Sequence, residues 1–229
     1  SHSCGHDSHM TIGLGVAEEL ISMRDNLNGK IKLIFQPGEE GCRGAYAMTQ
    51  AGIVDDVDYF LAFHIGMGLK SGIFACDSKG YLATPKFDAL LTGKPAHAAA
   101  SPDKGRNALL AACQAALGLH AIAPHSEGNM RINVGTLNAG TGRNVIASQA
   151  LMKIETRGET QAIADYVYSR SLEILKGAAM MYGAELNIIK AGESPEMQSS
   201  PELAKIVSEV VKELNIFDDV QDLIHVDPY

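Results

Sequence analysis

The chain opens on Ser-His-Ser-Cys-Gly-His-Asp-Ser-His (1–9), and a second reactive cluster, Pro37-Gly38-Glu39-Glu40-Gly41, follows after room for about one helix and one strand. Thiolate and imidazole suit borderline-soft divalent ions of the zinc type, and a carboxylate left free beside such an ion can serve as the base for a water. Together the clusters read as one site for metal-assisted hydrolysis. If residues 2–6 run extended, the two-residue alternation turns His2, Cys4 and His6 to one side, with Gly5 permitting close backbone approach and Asp7 free to orient an imidazole. The competing readings are a His-rich tail for the first cluster and an exposed acidic turn for the second. Cys4, Cys42, Cys76 and Cys113 are scattered without the spacing of a disulfide framework.

These groups meet only if the chain between them folds compactly. Thr11 to Arg24 carries Ile12, Val16, Leu20 and Met23 at helical spacing before the Asn28-Gly29 turn, so a helix there aims its positive end at the first cluster. Lys30 to Gln36 predicts a buried strand, Pro37-Gly38 breaks it, and Gly41 to Ala51 predicts a helix stopped by Gly52. Tyr59 to His64 predicts a short strand ending on a His, where open α/β sheets present functional groups. Further on, strands over Thr84 to Thr92, Arg131 to Leu137, Gln149 to Thr156 and Ala184 to Lys190 alternate with helices over Asn107 to Ala121 and Thr160 to Tyr182. The order β-α-β-β-α-β is that of the ferredoxin-like unit. Ile163, Val167, Ile174 and Ala178 form one stripe of the long helix, leaving its other face outward. An amphipathic helix over Pro201 to Leu214 predicts a return to the first domain. The expected division is therefore an α/β domain over 1–82 and 193–229, with 83–192 inserted.

The chain has 229 residues, 46% of them hydrophobic, which supplies one large core or two modest ones. A net charge of −8 argues against nucleic acid and anionic membranes as partners and leaves a small molecule. No apolar stretch approaches the roughly 20 residues of a membrane span, and no signal segment opens the chain, so a reduced cytoplasmic setting is expected. The start without Met, inside a motif, predicts a preceding part of the domain.

His-Ser-Cys-Gly-His-Asp, Phe-Gln-Pro-Gly-Glu-Glu-Gly, Ala-Phe-His-Ile-Gly, Gly-Lys-Pro-Ala-His, Gly-Thr-Gly-Arg-Asn-Val-Ile and Glu-Thr-Arg-Gly-Glu occur in that order. Together, from Ser1 to about Lys190, they resemble the di-metal amidohydrolases and aminoacylases whose metal site uses a Cys ligand. The resemblance implies a zinc-aminopeptidase-like α/β catalytic domain carrying a ferredoxin-like dimerisation or lid domain. It implies two divalent ions, Mn²⁺ or Zn²⁺, with Cys4, His6, Glu40 and His64 as ligands and His2 and His9 nearby. Glu39 becomes the general base, His97 reaches across a dimer to polarise the scissile carbonyl, and Asn144 and Arg157 hold the substrate carboxylate. Taken alone, Arg157 could equally pair with Glu155 or Glu159.

The family's further His ligand near the C-terminus, and an acidic motif shortly before it, have no counterpart before the chain ends at Asp227-Pro228-Tyr229. The activity implied is hydrolysis of the amide between an acyl or aminobenzoyl group and an amino acid, with p-aminobenzoyl-glutamate, giving p-aminobenzoate and glutamate, the favoured substrate. The protein acting on it would be a homodimer, or a heterodimer with a related subunit. The second reading is a general N-acyl-amino-acid deacylase or dipeptidase. The third, a catalytically silent partner subunit, has no physical need for Cys4, His6, Glu39, Glu40 and His64 together.

Overall fold

A computed structural model of the chain describes residues 4–41, 43–66 and 68–225; His2, Cys42 and Asp227 to Tyr229 lie outside the described residues. In chain order the elements are α1 (His6–Ser22), α2 (Gly44–Gln50), β1 (Ile73–Ala75), β2 (Ser78–Lys79), β3 (Thr84–Thr92), α3 (Ala108–His120), β4 (Met130–Ala139), β5 (Gln149–Gly158), α4 (Gln161–Tyr182), β6 (Glu185–Ser194), α5 (Pro201–Leu214), β7 (Asp219–Gln221) and β8 (Ile224–His225). They divide into two compact units, one holding the chain up to Asp77 together with Ser200–Ile224, the other centred on Ser78–Ser199. No helix among the described residues is long and apolar enough to cross a membrane.

The second unit follows the order read from the sequence. β3, β4, β5 and β6 form one antiparallel sheet in the order β4-β5-β3-β6, with α3 and α4 as its connections. Asn107 and Thr160 cap these helices, their side chains accepting the N–H groups of Leu110 and Ile163, and Gly183 ends α4 in the left-handed region at φ 64°. Alternation along β3 and β5 turns Phe87, Ala89, Leu91, Ala150, Met152 and Ile154 into one core, where the small face of α3 (Ala108, Ala111, Ala112, Ala115) admits Leu175, Ala178 and Ala179 of α4. Phe87, Leu91, Leu119, Met152 and Leu175 are fully buried, each stabilising the unit by about 1.5–3 kcal/mol.

The first unit differs from expectation. α1 starts at His6 rather than near Thr11, with Ser8 and His9 donating their N–H groups to Gly5 O at 3.0 and 3.2 Å. His6 therefore sits in a helical turn, so the extended run expected there does not hold at Gly5 and His6, while His2 lies outside the described residues. The runs Lys30 to Gln36 and Tyr59 to His64 form no strands; Ile31 is 56% and Tyr59 75% exposed. Both carry β-forming side chains, but a strand exists only where neighbours take up its backbone N–H and C=O groups, and neither run has such a neighbour among the described residues. Order in this unit comes from short pairings. β1 runs parallel to β7, Phe74 meets Phe217 at 5.0 Å between ring centroids, and α5 buries Ser208 and Val211. Asp222 ties α5 down by accepting from the Ser208 hydroxyl at 2.5 Å and the Lys212 ammonium at 2.6 Å.

Candidate metal centre

Cys4 and His6 flank Gly5, which adopts φ 75° and ψ 20° at the N-cap of α1. This left-handed residue, cheap only for glycine, turns the chain into the helix so that both neighbours face one region. His64 follows the second apolar run, and its Nε2 lies 3.6 Å from Cys4 Sγ. One ligand atom from each of Cys4, His6 and His64 lies within 4.8 Å of the others, and the same holds for His6, Glu39 and Glu40. His6 is thus common to a Cys/His group and a carboxylate group.

Glu39 and Glu40 occupy a single 3₁₀ turn, Glu39–Gly41. Behind it, buried Gly44 opens α2; a Cβ there would fall 1.5 Å from Pro37 O, so only glycine lets the helix close against the Pro37-Gly38 turn that presents the carboxylates. Glu39 Oε2 lies 3.4 Å from His6 Nε2, yet this shielded ring nitrogen makes no hydrogen bond among the described residues. Leaving a buried polar atom unsatisfied costs about 1–3 kcal/mol. A thiol, two imidazoles and two carboxylates around such an atom are a donor set that fits a divalent cation, and the second imidazole is already oriented for it.

That orientation comes from the backbone. His64 Nδ1 lies 2.7 Å from Ile65 O; a carbonyl only accepts, so Nδ1 carries the proton and Nε2 keeps its lone pair. His9 Nε2 accepts the Ile65 N–H at 2.9 Å. Desolvation first, then His64 and His6, holds His9 below the usual imidazole range, while burial followed by the Glu40 and Glu39 charges pushes the Cys4 thiol up. The structure therefore brings Cys4, His6, Glu39, Glu40 and His64 together. It gives His9 a bond that the sequence did not reveal, although its three-residue spacing from His6 on a helix was the available signal.

The remaining candidates lie in the second unit. His97 is exposed, and its Nδ1 accepts the N–H groups of Ala99 and Ala100 at 3.2 and 3.1 Å, leaving an Nε2–H donor outward. Asn144 O accepts the Ala98 N–H at 2.9 Å, so the two candidate loops adjoin. Beside them lies a cavity of about 480 Å³ whose lining includes Asn107, Thr141 and Arg143, residues that sequence reasoning did not single out. Arg157 donates from Nε to Glu155 Oε1 at 2.7 Å, one of the pairings the sequence left open, and Lys86 Nζ stands 3.5 Å from the other Glu155 oxygen. Arg157 stands eight residues beyond Gln149 on β5, roughly 27 Å at about 3.4 Å per residue. Arg157 thus stands near the opposite end of β5 from the loop that carries Asn144.

Comparison with known proteins gives these residues a context. The chain is 58% identical over 200 residues to the indole-3-acetyl-aspartic acid hydrolase of Enterobacter agglomerans, covering 87% of this chain and 46% of that protein. It is 54% identical over 201 residues to one subunit of the p-aminobenzoyl-glutamate hydrolase of Escherichia coli K12, covering 88% and 46%. The chain therefore spans about half the length of the curated relatives it matches. The crystal structure of the aminobenzoyl-glutamate utilization protein from Klebsiella pneumoniae superposes with a TM-score of 0.89 at 49% identity, over 96% of this chain and 56% of that one. A dinuclear metal-binding peptidase of the M20 family from Bacillus subtilis superposes at 0.69 with 26% identity, over 100% and 58%. Within the Cys-ligand group, the motif order in the sequence points to that same p-aminobenzoyl-glutamate hydrolase chain, and these relatives agree. With the profile of Peptidase family M20/M25/M40 matching residues 1–225, the chain belongs to that family.

Proposed function

We propose that the protein carrying this sequence is a metal-dependent amidohydrolase that cleaves an N-acyl or N-aminobenzoyl amino acid. The observation that carries this reading is the shielded His6 Nε2, which makes no hydrogen bond among the described residues, grouped with Cys4, His64, Glu39 and Glu40. Cys4, His6, Glu40 and His64 would hold two divalent ions, Mn²⁺ or Zn²⁺. When bound, the ions supply Lewis-acid activation of water and of the amide carbonyl. Glu39 takes a proton from the attacking water as the C–O bond forms, then returns it to the departing amine nitrogen as the C–N bond breaks. His97 offers its Nε2–H to the carbonyl oxygen as that atom gains charge. Because their loops adjoin, His97 and Asn144 act together, whereas Arg157, set by Glu155 at the far end of β5, acts separately. Both arms grip one substrate carboxylate when two protomers share a site, in a homodimer or a heterodimer with a related subunit.

The β4-β5-β3-β6 unit is read as the ferredoxin-like dimerisation or lid domain over 83–192, inserted in a zinc-aminopeptidase-like α/β domain over 1–82 and 193–229. A reduced cytoplasmic setting suits the unpaired Cys4, Cys76 and Cys113. The names of two relatives describe an aromatic acyl group on an acidic amino acid, which supports p-aminobenzoyl-glutamate as substrate. A second reading, a general N-acyl-amino-acid deacylase, is favoured by 33% identity over 212 residues to N-acetyldiaminopimelate deacetylase of Streptococcus suis, 55% of that protein. The test is release of p-aminobenzoate with added Mn²⁺ or Zn²⁺, metal content being measured alongside. Glu39→Gln should retain metal and lose about 10²- to 10⁴-fold in turnover. Full activity in Glu39→Gln overturns the mechanism, and activity on N-acetyl amino acids alone selects the deacylase.

A further inference from the structure

Of the imidazoles at this site, one spends its acceptor nitrogen on the protein backbone. His9 Nε2 accepts the Ile65 N–H at 2.9 Å, and the carbonyl of the same residue accepts His64 Nδ1–H at 2.7 Å. Ile65 is gripped on both sides by two histidines whose ring centroids are 4.2 Å apart. An N–H only donates, so the His9 Nε2 lone pair is already used, whereas the His64 Nε2 lone pair faces Cys4 Sγ at 3.6 Å. The reach comes from α1: His6 and His9 stand three residues apart on one face, ring centroids 5.3 Å from each other. The run before Ile65 joins no strand among the described residues, so no sheet fixes the direction of His64. The bond from His9 ties that segment to a helix instead.

Resting on the metal reading above, we propose that His9 is a positioning residue: it holds the Ile65 backbone that aims His64 Nε2, and so sets metal affinity without bonding the metal. Outer groups that orient a ligating His typically change metal affinity by about 10- to 100-fold. His9→Ala should therefore weaken Zn²⁺ binding by about that factor, while Co²⁺ bound to the variant keeps the parent's visible absorption band because the ligands are unchanged. Without metal, the Ile65 amide should exchange faster in His9→Ala than in the parent. His9→Gln, whose Oε1 can accept the same N–H, should restore both affinity and protection. His64→Ala, by contrast, removes a ligand and should alter the Co²⁺ band. The proposal is overturned if His9→Ala binds Zn²⁺ like the parent, if it changes the Co²⁺ band as His64→Ala does, or if Ile65 exchange is unaffected. A parent that binds neither ion removes the metal reading and this role with it, whereas parental Zn²⁺ affinity in His9→Ala removes the proposal alone.

Discussion

Replacing Gly5 with alanine should weaken metal binding although no donor is changed. Gly5 sits at φ 75° and ψ 20°, where an L-residue pays about 1–2 kcal/mol. Its new Cβ would stand 3.2 Å from Ile65 Cδ1, the tip of a flexible side chain that can yield by a few tenths of an ångström, so the backbone term dominates. The variant relieves the strain by leaving the left-handed region, which swings Cys4 away from His6. Bringing them back on metal binding costs the same 1–2 kcal/mol, or about 5- to 30-fold in affinity. The assay is a Zn²⁺ titration against a competing chromogenic chelator. Gly5→Asn is the discriminating control, because Asn tolerates this conformation while adding the same Cβ; its affinity should fall less. Gly15→Ala, a helical site with no atom within 4 Å of the added carbon, should leave affinity alone and stabilise α1 by roughly 0.5–1 kcal/mol. Parental affinity in Gly5→Ala refutes the reasoning, and equal losses in the Ala and Asn variants place the cost in the side-chain contact rather than in φ.

Two further outcomes concern stability. Phe87, 1% exposed and edge-on to Tyr168 at 5.0 Å, should cost about 3–5 kcal/mol when cut to alanine; urea unfolding of the second unit checks this, and a loss under about 1 kcal/mol contradicts the packing described. The Lys212 ammonium, then the Ser208 hydroxyl, hold Asp222 below the usual carboxylate range, so its contribution is present above the unfolded value of about 3.9 and lost as pH falls through the lower folded value. Thermal unfolding of the parent should therefore fall more steeply with acid below about pH 4 than that of Asp222→Asn, and added salt should narrow the difference because the pair is exposed. Parallel acid profiles would show that Asp222 holds α5 no better than its amide does.

Much of the second unit was legible in the sequence because local and tertiary demands coincide there. The Thr84–Thr92 strand has the expected bounds, and the helix expected over Asn107 to Ala121 differs only in that its end residues are caps. Alternating residues need only the neighbouring strand and the helix above to be satisfied, and the chain supplies both within one β-α-β-β-α-β stretch. In the first unit the Pro201–Leu214 helix kept its expected bounds, since its periodicity and Ser200 cap are local. Lys30 to Gln36 and Tyr59 to His64 were misread because apolar composition reports a preference for strand, whereas pairing is supplied from elsewhere in space.

The site divides along the same line. Residue types alone suited the Cys4/His6 and Glu39/Glu40 clusters to a divalent cation and a proton transfer, because donor softness and acidity belong to the side chains themselves, whereas His64 was singled out as a ligand by the motif resemblance. Only the tertiary structure decided that His6 is shared between the two donor groups and that His9 spends its lone pair on Ile65. It alone decided that Arg157 pairs with Glu155 while Asn144 adjoins the His97 loop. Tautomer, hydrogen-bond partner and direction depend on atoms brought near from distant parts of the chain, and no spacing along the sequence encodes them.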